Sequence, residues 1–167
     1  MTAILDPRSA WLAERRSLIT ASDAAAILGA DPYRGALAVY AEKLGVEAED
    51  NLAMRRGRRW EAAIAEEYAE QTGRPVMALG AYEIQRHPSI DWLGATLDRV
   101  TGFDRMGVGE GGRFTGEAPL ELKMALGSAR EWKDGPPLGY LVQIQIQAAC
   151  FGSTWAATTV VCVVSSN

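Results

Sequence analysis

The sequence predicts a single α/β domain, and three observations carry that prediction. Helical periodicity runs through most of the chain up to Thr72. Beyond Gly73 the pattern changes to short strand-like runs separated by turn residues. After Pro136-Pro137 a further helix and a β-branched strand close the chain. A length of 167 residues favours one domain, spanning 1–167, and suffices for a core without disulfide or metal staples.

The elements follow in order. Ala10 to Arg16 reads as a first helix. In Ile19-Thr20-Ala21-Ser22-Asp23, either Thr20 or Ser22 can cap a short helix that Gly29 ends. Asp31-Pro32-Tyr33 is a turn, and Ala36 to Leu44 a helix with Gly45 at its C-terminal cap. Val46 to Asn51 is a polar loop. Leu52 to Thr72 is the longest helical pattern, closed by Gly73. At about 100° per residue its apolar arc holds Trp60, Ile64, Ala65 and Tyr68, with Glu66, Glu67 and Glu70 on the other side. Glu61 falls inside the apolar arc. A carboxylate there needs a partner, either a buried arginine or a metal site. Val76 to Ile84 and Trp92 to Val100 read as strands, and Thr101 to Pro119, rich in glycine, as a hairpin loop. Leu120 to Met124 is a short alternating strand. Tyr140 to Phe151 reads as a helix with Tyr140, Gln143 and Gln147 on one face. Trp155 to Val164 is an apolar strand suited to the sheet interior.

Composition removes several functions. Apolar residues make up 48% and charged residues 23%, as in ordinary globular proteins. No apolar run approaches the roughly 20 residues of a membrane span. The opening residues are too few and too polar for a signal peptide. Cys150 and Cys162 form no Cys-x-x-Cys pattern, which fits a reducing cytoplasm. One histidine, His87 in a proline-containing loop, leaves no Cys/His zinc cluster and a poor basis for a Ser-His-Asp triad. A metal would therefore take oxygen ligands, which points to Mg²⁺ with Mn²⁺ as substitute. The net charge of −4 excludes a general polyanion binder. Arg15-Arg16 and Arg55, Arg56, Arg58 and Arg59 are nonetheless clustered, as a solvated helix face or as a local nucleic-acid patch.

Strand alternation places Glu121 and Lys123 on one face and Leu122 on the other. A hairpin could bring Asp98 beside them. Asp98 followed by Glu121-Leu122-Lys123 is a D…E-x-K pattern. Two carboxylates on adjacent strands can hold a divalent cation, and a lysine beside it can orient a water and offset developing charge. Taken alone the pattern is weak, because exposed strands often carry Glu-x-Lys pairs.

The surrounding motifs sharpen it. In order they are Arg15 with Ile19-Thr20-Ala21-Ser22-Asp23, Asp31-Pro32-Tyr33, Gly57 with Glu61 and Tyr68, Ala95-Thr96-Leu97-Asp98-Arg99, Leu120-Glu121-Leu122-Lys123, and Tyr140-x-x-Gln143-x-Gln145. With these the chain resembles the YqaJ-type viral recombinase family, which includes the bacteriophage lambda exonuclease and belongs to the PD-(D/E)xK nucleases. The resemblance implies a restriction-endonuclease-like core, a central mixed sheet flanked by helices. It implies a metal held by Asp98, Glu121 and the Leu122 carbonyl, with Lys123 serving the attacking water. Glu61 would be a further acid of the site, and Gln143 would lie near the metal or its waters. Arg15 and Ser22 match positions that hold a 5′-phosphate, with Arg34 a looser candidate. The implied activity is 5′→3′ digestion of double-stranded DNA, supplying single strands to an annealing protein in phage recombination. A structure-selective endonuclease would fit the same core. A DNA-binding or regulatory module without catalysis is a third reading, opposed by the intact Asp98, Glu121 and Lys123. Family members generally continue past the strand that ends this chain, with elements that build a trimeric ring. The chain reads as a C-terminally short form, which leaves its homo-oligomeric state open.

Overall fold

The computed structural model describes residues 6–46, 50–102, 116–126 and 129–163. Helix α1 (Pro7–Arg16) starts one turn earlier than the sequence predicts, because the Asp6 carboxylate caps it, accepting from the Arg8 and Ser9 amides, and Pro7 opens its first turn. A two-residue strand β1 (Ile19–Thr20) leads into α2 (Ala21–Ile27). Thr20 is its cap. Thr20 and Asp23 form a reciprocal capping box. Helices α3 (Ala36–Lys43) and α4 (Leu52–Thr72) follow as predicted, and α4 ends at a left-handed Gly73.

Two predicted strands divide. Val76 to Ile84 is not one strand but β2 (Val76–Met77) and β3 (Gln85–Arg86), in different sheets. Between them the backbone turns at Tyr82, whose φ is 66°. Trp92 to Val100 likewise becomes β4 (Leu93–Ala95) and β5 (Arg99–Gly102), with Thr96–Asp98 outside both. Strand β6 (Glu117–Leu126) is longer than Leu120 to Met124. The predicted Thr101–Pro119 loop is therefore strand at both ends, and 103–115 lies outside the described residues. Helix α5 (Leu138–Phe151) and strand β7 (Ala157–Val163) complete the order.

One sheet runs β1-β4-β3 and the other β2-β5-β6-β7. Both are mixed: β1 pairs parallel with β4 and β6 parallel with β7, while the remaining pairs are antiparallel. Among the described residues β7 is an edge strand rather than an interior one. Its residues are half-buried up to Val163, which is exposed.

Strand β6 organises the domain. Leu120 and Leu122 point to one face and pack with Ile64, Ala65 and Tyr68 of α4. Glu121 and Lys123 must then point to the other, where α5 packs. The second core joins Ala21 of α2, Leu93 and Ala95 of β4, Leu97, Val100 and Cys150 of α5. Trp60 departs from the apolar-arc expectation and is 51% exposed, at the rim of a groove that it lines with Ile64, Met124, Val161 and Val163.

Candidate active site

The site begins at Glu121, which is 1% exposed. A buried carboxylate must be satisfied by donors, and three side chains do so. Gln143 and Gln147 stand one helical turn apart on α5, so they share a face. The Gln143 Nε2 donates to Glu121 Oε1 at 2.5 Å and the Gln147 Nε2 to Glu121 Oε2 at 2.5 Å. Lys123, two residues along β6, ion-pairs with Oε1. Its ammonium also lies 5.2 Å from the Tyr140 ring centroid, close enough for a cation–π contact. Burial alone would pull the Lys123 ammonium down, but Glu121, by charge and hydrogen bond, and then Asp98 hold it above its ordinary value.

Asp98 enters from the break between β4 and β5. Its Oδ2 accepts the Leu122 amide at 2.9 Å. Burial first, and then the Glu121 charge, raise its carboxyl from 3.8 to about 7. The expected pairing of Asp98 with Glu121 and Lys123 is thus present, although Asp98 lies just outside the strand that was to carry it.

Glu61 is placed differently. It sits on α4, across β6 from the face that carries Glu121. Burial raises its carboxyl, the Arg99 charge opposes that, and Glu121 adds to it. Both partners weighed from the sequence, an arginine and the acidic site, therefore act on Glu61, and both act through charge at a distance. Among the described residues no three His, Cys, Asp or Glu side chains gather into a metal-holding group.

A cationic wall faces the carboxylates. The Arg15 guanidinium donates to Thr20 Oγ1 at 3.3 Å and Ser22 Oγ at 3.5 Å, and it stacks 4.7 Å from the Trp11 ring centroid. Burial pulls Arg15 below its ordinary value while the Asp23 charge opposes that. Trp11 is itself fixed, its Nε1 donating to Thr96 Oγ1 at 3.2 Å. Behind this wall Asp23, 1% exposed, receives Lys43 at 2.6 Å and Arg34 at 3.0 Å. Lys43 also donates to the Arg15 carbonyl at 2.9 Å, which ties α1 to α3. Burial would raise the Asp23 carboxyl, yet hydrogen bonds from Lys43 and Thr20 hold it below its ordinary value.

These walls enclose a cavity of about 240 Å³. Its lining brings together Arg15, Ser22, Asp98, Glu121, Lys123 and Gln143, all singled out from the sequence. Arg34 does not line it. That guanidinium is held by Asp23 and, at 2.7 Å, by Glu42. Sequence reasoning missed Trp11, Thr20 and Thr96 in the lining, and Gln147 and Asp23 behind it. Gln147 had a signal, its place one turn beyond Gln143. Asp23 had one too, its spacing of three from a capping Thr20. Thr96 had one as well, its place two residues before Asp98 in the motif Ala95-Thr96-Leu97-Asp98-Arg99.

The donor chemistry fits a hard divalent cation. Asp98 and Glu121 are adjacent buried carboxylates that repel each other, and oxygen ligands of this kind suit Mg²⁺ or Mn²⁺. The Glu121 carboxylate accepts twice at Oε1 and once at Oε2, which leaves acceptor capacity.

The family model of the YqaJ-like viral recombinase domain matches residues 10–158. A Bacillus subtilis (strain 168) protein, named an uncharacterized protein YqaJ, is 32% identical over 143 residues. That match covers 83% of this chain and 40% of the relative, so the chain spans about 40% of that protein's length. Two solved structures of LHK-Exo, an alkaline exonuclease from Laribacter hongkongensis, share the fold. The one in complex with dAMP has a TM-score of 0.64 at 24% identity, covering 91% of this chain and 73% of that one. The other has a TM-score of 0.64 at 23% identity, covering 92% and 74%. The mixed sheets flanked by helices are accordingly the restriction-endonuclease-like arrangement expected from the sequence.

Proposed function

The chain belongs to the YqaJ-like viral recombinase family, and from that premise we propose that it is a Mg²⁺-dependent DNA nuclease, acting as a 5′→3′ exonuclease on double-stranded DNA. The observation that carries the proposal is the single cavity that joins Asp98, Glu121 and Lys123 to Arg15 and Ser22. One half of it suits a cation and a scissile phosphate, the other a terminal phosphate.

A divalent cation held by Asp98, Glu121 and the Leu122 carbonyl would supply Lewis acidity toward the phosphate. Lys123 orients a water on the phosphorus and offsets charge as it develops. Gln143 and Gln147 keep Glu121 from rotating. The water oxygen bonds to phosphorus, the P–O3′ bond breaks, and the water's proton leaves through solvent or the departing oxygen. Arg15 and Ser22, a guanidinium and a hydroxyl, suit phosphate oxygens. Cleavage on the 3′-oxygen side leaves a new 5′-phosphate, so each cut regenerates the group that this wall would hold. In phage-type recombination the resulting single strand would pass to an annealing protein.

Digestion of linear duplexes differing only in 5′-phosphorylation, beside a closed circular plasmid, tests the reading. Activity should require magnesium or manganese, disappear with chelator, favour the phosphorylated end and spare the circle. Lys123→Ala should lose about 10²–10⁴-fold in rate while DNA binding holds. Undiminished digestion in chelator, or by Lys123→Ala, would refute the mechanism. Rapid linearisation of the circle would favour an endonuclease.

A further inference from the structure

Gly57 is an interior residue of α4 for which the fold supplies no reason. Glycine is disfavoured in a helix interior more than any residue except proline. Other glycines here have evident causes. Gly73 and Gly152 end helices in left-handed conformations. A Cβ on Gly139 would meet the Ala30 carbonyl oxygen at 2.6 Å, and one on Gly94 would meet Leu18 at 3.0 Å. Gly57 has no positive φ and, among the described residues, no neighbour within 4 Å of an added Cβ.

Its position on the helix is specific. Gly57, Glu61, Ile64 and Tyr68 are spaced by four, three and four residues, so they form one stripe. Tyr68 and Ile64 are buried by β6 and its neighbours at 7% and 2% exposure. Trp60 reaches Met124 and Val163, near the carboxyl end of the sheet. Glu61, the next member of the stripe, feels the charges of Glu121 and Lys123. Gly57 is one turn further out. Residues 52–60 are all exposed except Gly57 itself. The two turns of α4 before Trp60, residues 52–59, form an overhang of about 12 Å beyond the groove that Trp60 shares with Met124 and Val163. The overhang holds four arginines and no acidic residue. Arg56 and Arg58 stand about 100° to either side of Gly57 on the helix. Arg58 pairs with Asp50, and Arg56 has no partner among the described residues.

We propose that Gly57 is the point where one strand of nucleic acid passes against the backbone of α4 on its way to the carboxylate cavity, with the flanking arginines on its phosphates. The proposal rests on the nuclease reading for its choice of partner. A bare backbone lets the sugar-phosphate chain approach closely, as glycine does at phosphate sites. The arginine run supplies charge complementarity, within a chain whose net charge is −4.

The test is equilibrium binding of a fluorescein-labelled linear duplex with a short single-stranded end, read by anisotropy in chelator. The full chain is compared with Gly57→Ala and Gly57→Leu. Both variants add helix propensity into open space, so each should melt about 2–4 °C higher. Gly57→Leu should nonetheless raise the DNA dissociation constant about tenfold, the equivalent of one lost interaction of about 1.4 kcal/mol, with Gly57→Ala between it and the parent. Hydrolysis of a small diester, thymidine 5′-p-nitrophenyl phosphate, in magnesium should be unchanged in both, because that substrate does not reach the overhang. DNA affinity equal in Gly57→Leu and the parent overturns the proposal. So does a lowered melting temperature, which would make Gly57 a requirement of the fold, and so does a parent that binds no DNA. A parent that binds DNA tightly but cleaves none in magnesium overturns the nuclease reading and leaves this one to the affinity ratio.

Discussion

Asp98→Asn should make the metal-free protein more stable at pH 8, and it should flatten the dependence of stability on pH. Burial and the Glu121 charge raise the Asp98 carboxyl from 3.8 to about 7. Each pH unit of such a difference is about 1.4 kcal/mol. Ionised Asp98 therefore costs the folded state roughly 4 kcal/mol relative to the unfolded chain once the pH is well above 7. Because the folded value is the higher one, the stabilising contribution is complete below the unfolded value, near 4. It is lost as the pH rises through about 7. Most of that contribution is lost between pH 5 and pH 8. The assay is urea unfolding in chelator, followed by tryptophan fluorescence at several pH values in that range. The parent should weaken steadily toward pH 8, and Asp98→Asn should not. Asparagine has no charge to ionise, and its side-chain oxygen can still accept the Leu122 amide. Magnesium should restore much of the parent's stability at pH 8 and little of the variant's, since the cation offsets the same repulsion. An identical pH slope in parent and variant would refute the argument, because the strain would then not reside at Asp98.

Other expectations follow from neighbouring contacts. Gln147→Leu should fold normally and lose about 10–100-fold in magnesium affinity or activity, the usual scale for a residue orienting a ligand; unchanged thermal-shift titration with magnesium would discount it. Glu61→Gln should be neutral or stabilising in chelator, since burial already disfavours its charge, and should lower nuclease activity only modestly, because its charge reaches Glu121 and Lys123 from outside the cavity. Glu66→Gln and Glu70→Gln should stay within about 0.5 kcal/mol of the parent with activity intact, and a destabilised Glu61→Gln of full activity would make Glu61 a structural partner of Arg99. Asp23→Asn should cost about 3 kcal/mol at pH 7, because it strands Lys43 and Arg34. The Asp23 carboxyl is held below 3.8, so this contribution is present above that pH and fades as the pH falls through the folded value. A loss under about 1 kcal/mol in urea unfolding would make the pair marginal.

The legible parts of the fold are those governed by short-range periodicity. Leu52 to Thr72 and the α5 segment repeat apolar residues at helical spacing, and Glu121-Leu122-Lys123 alternates as a strand must. The breaks were not legible for the same reason. Tyr82 adopts a left-handed conformation that its chemistry does not announce, so Val76 to Ile84 reads as continuous. Trp60 satisfies the apolar pattern of α4, but the pattern does not show that its position falls at the rim of a groove. Glu61 shows the limit most clearly. The wheel gives the face of α4 on which it lies, and that face packs against β6. Only the strand alternation of β6, combined with the packing of α4 and α5 on it, reveals that Glu121 points the other way.

The break at Thr96–Asp98 has a physical logic of its own. Had β4 run on into β5, residues 96–98 would have been committed to ladder hydrogen bonds and to alternate faces. Released from the sheet, they join the two halves of the site. The Thr96 hydroxyl accepts the Trp11 indole that supports Arg15, and its carbonyl accepts Gln147 at 3.5 Å. Two residues later Asp98 reaches the Leu122 amide beside Glu121. Leu97 between them stays in the core at 7% exposure and anchors the segment. Arg15 and Ser22 of the cationic wall stand on α1 and α2, while Glu121 and Lys123 stand on β6, in different stretches of chain. Their spacing is set by three consecutive residues that carry no secondary structure, held at Leu97 by packing and at either side by side-chain contacts. A strand could not supply that combination, since it would commit Thr96 and Asp98 to the same face.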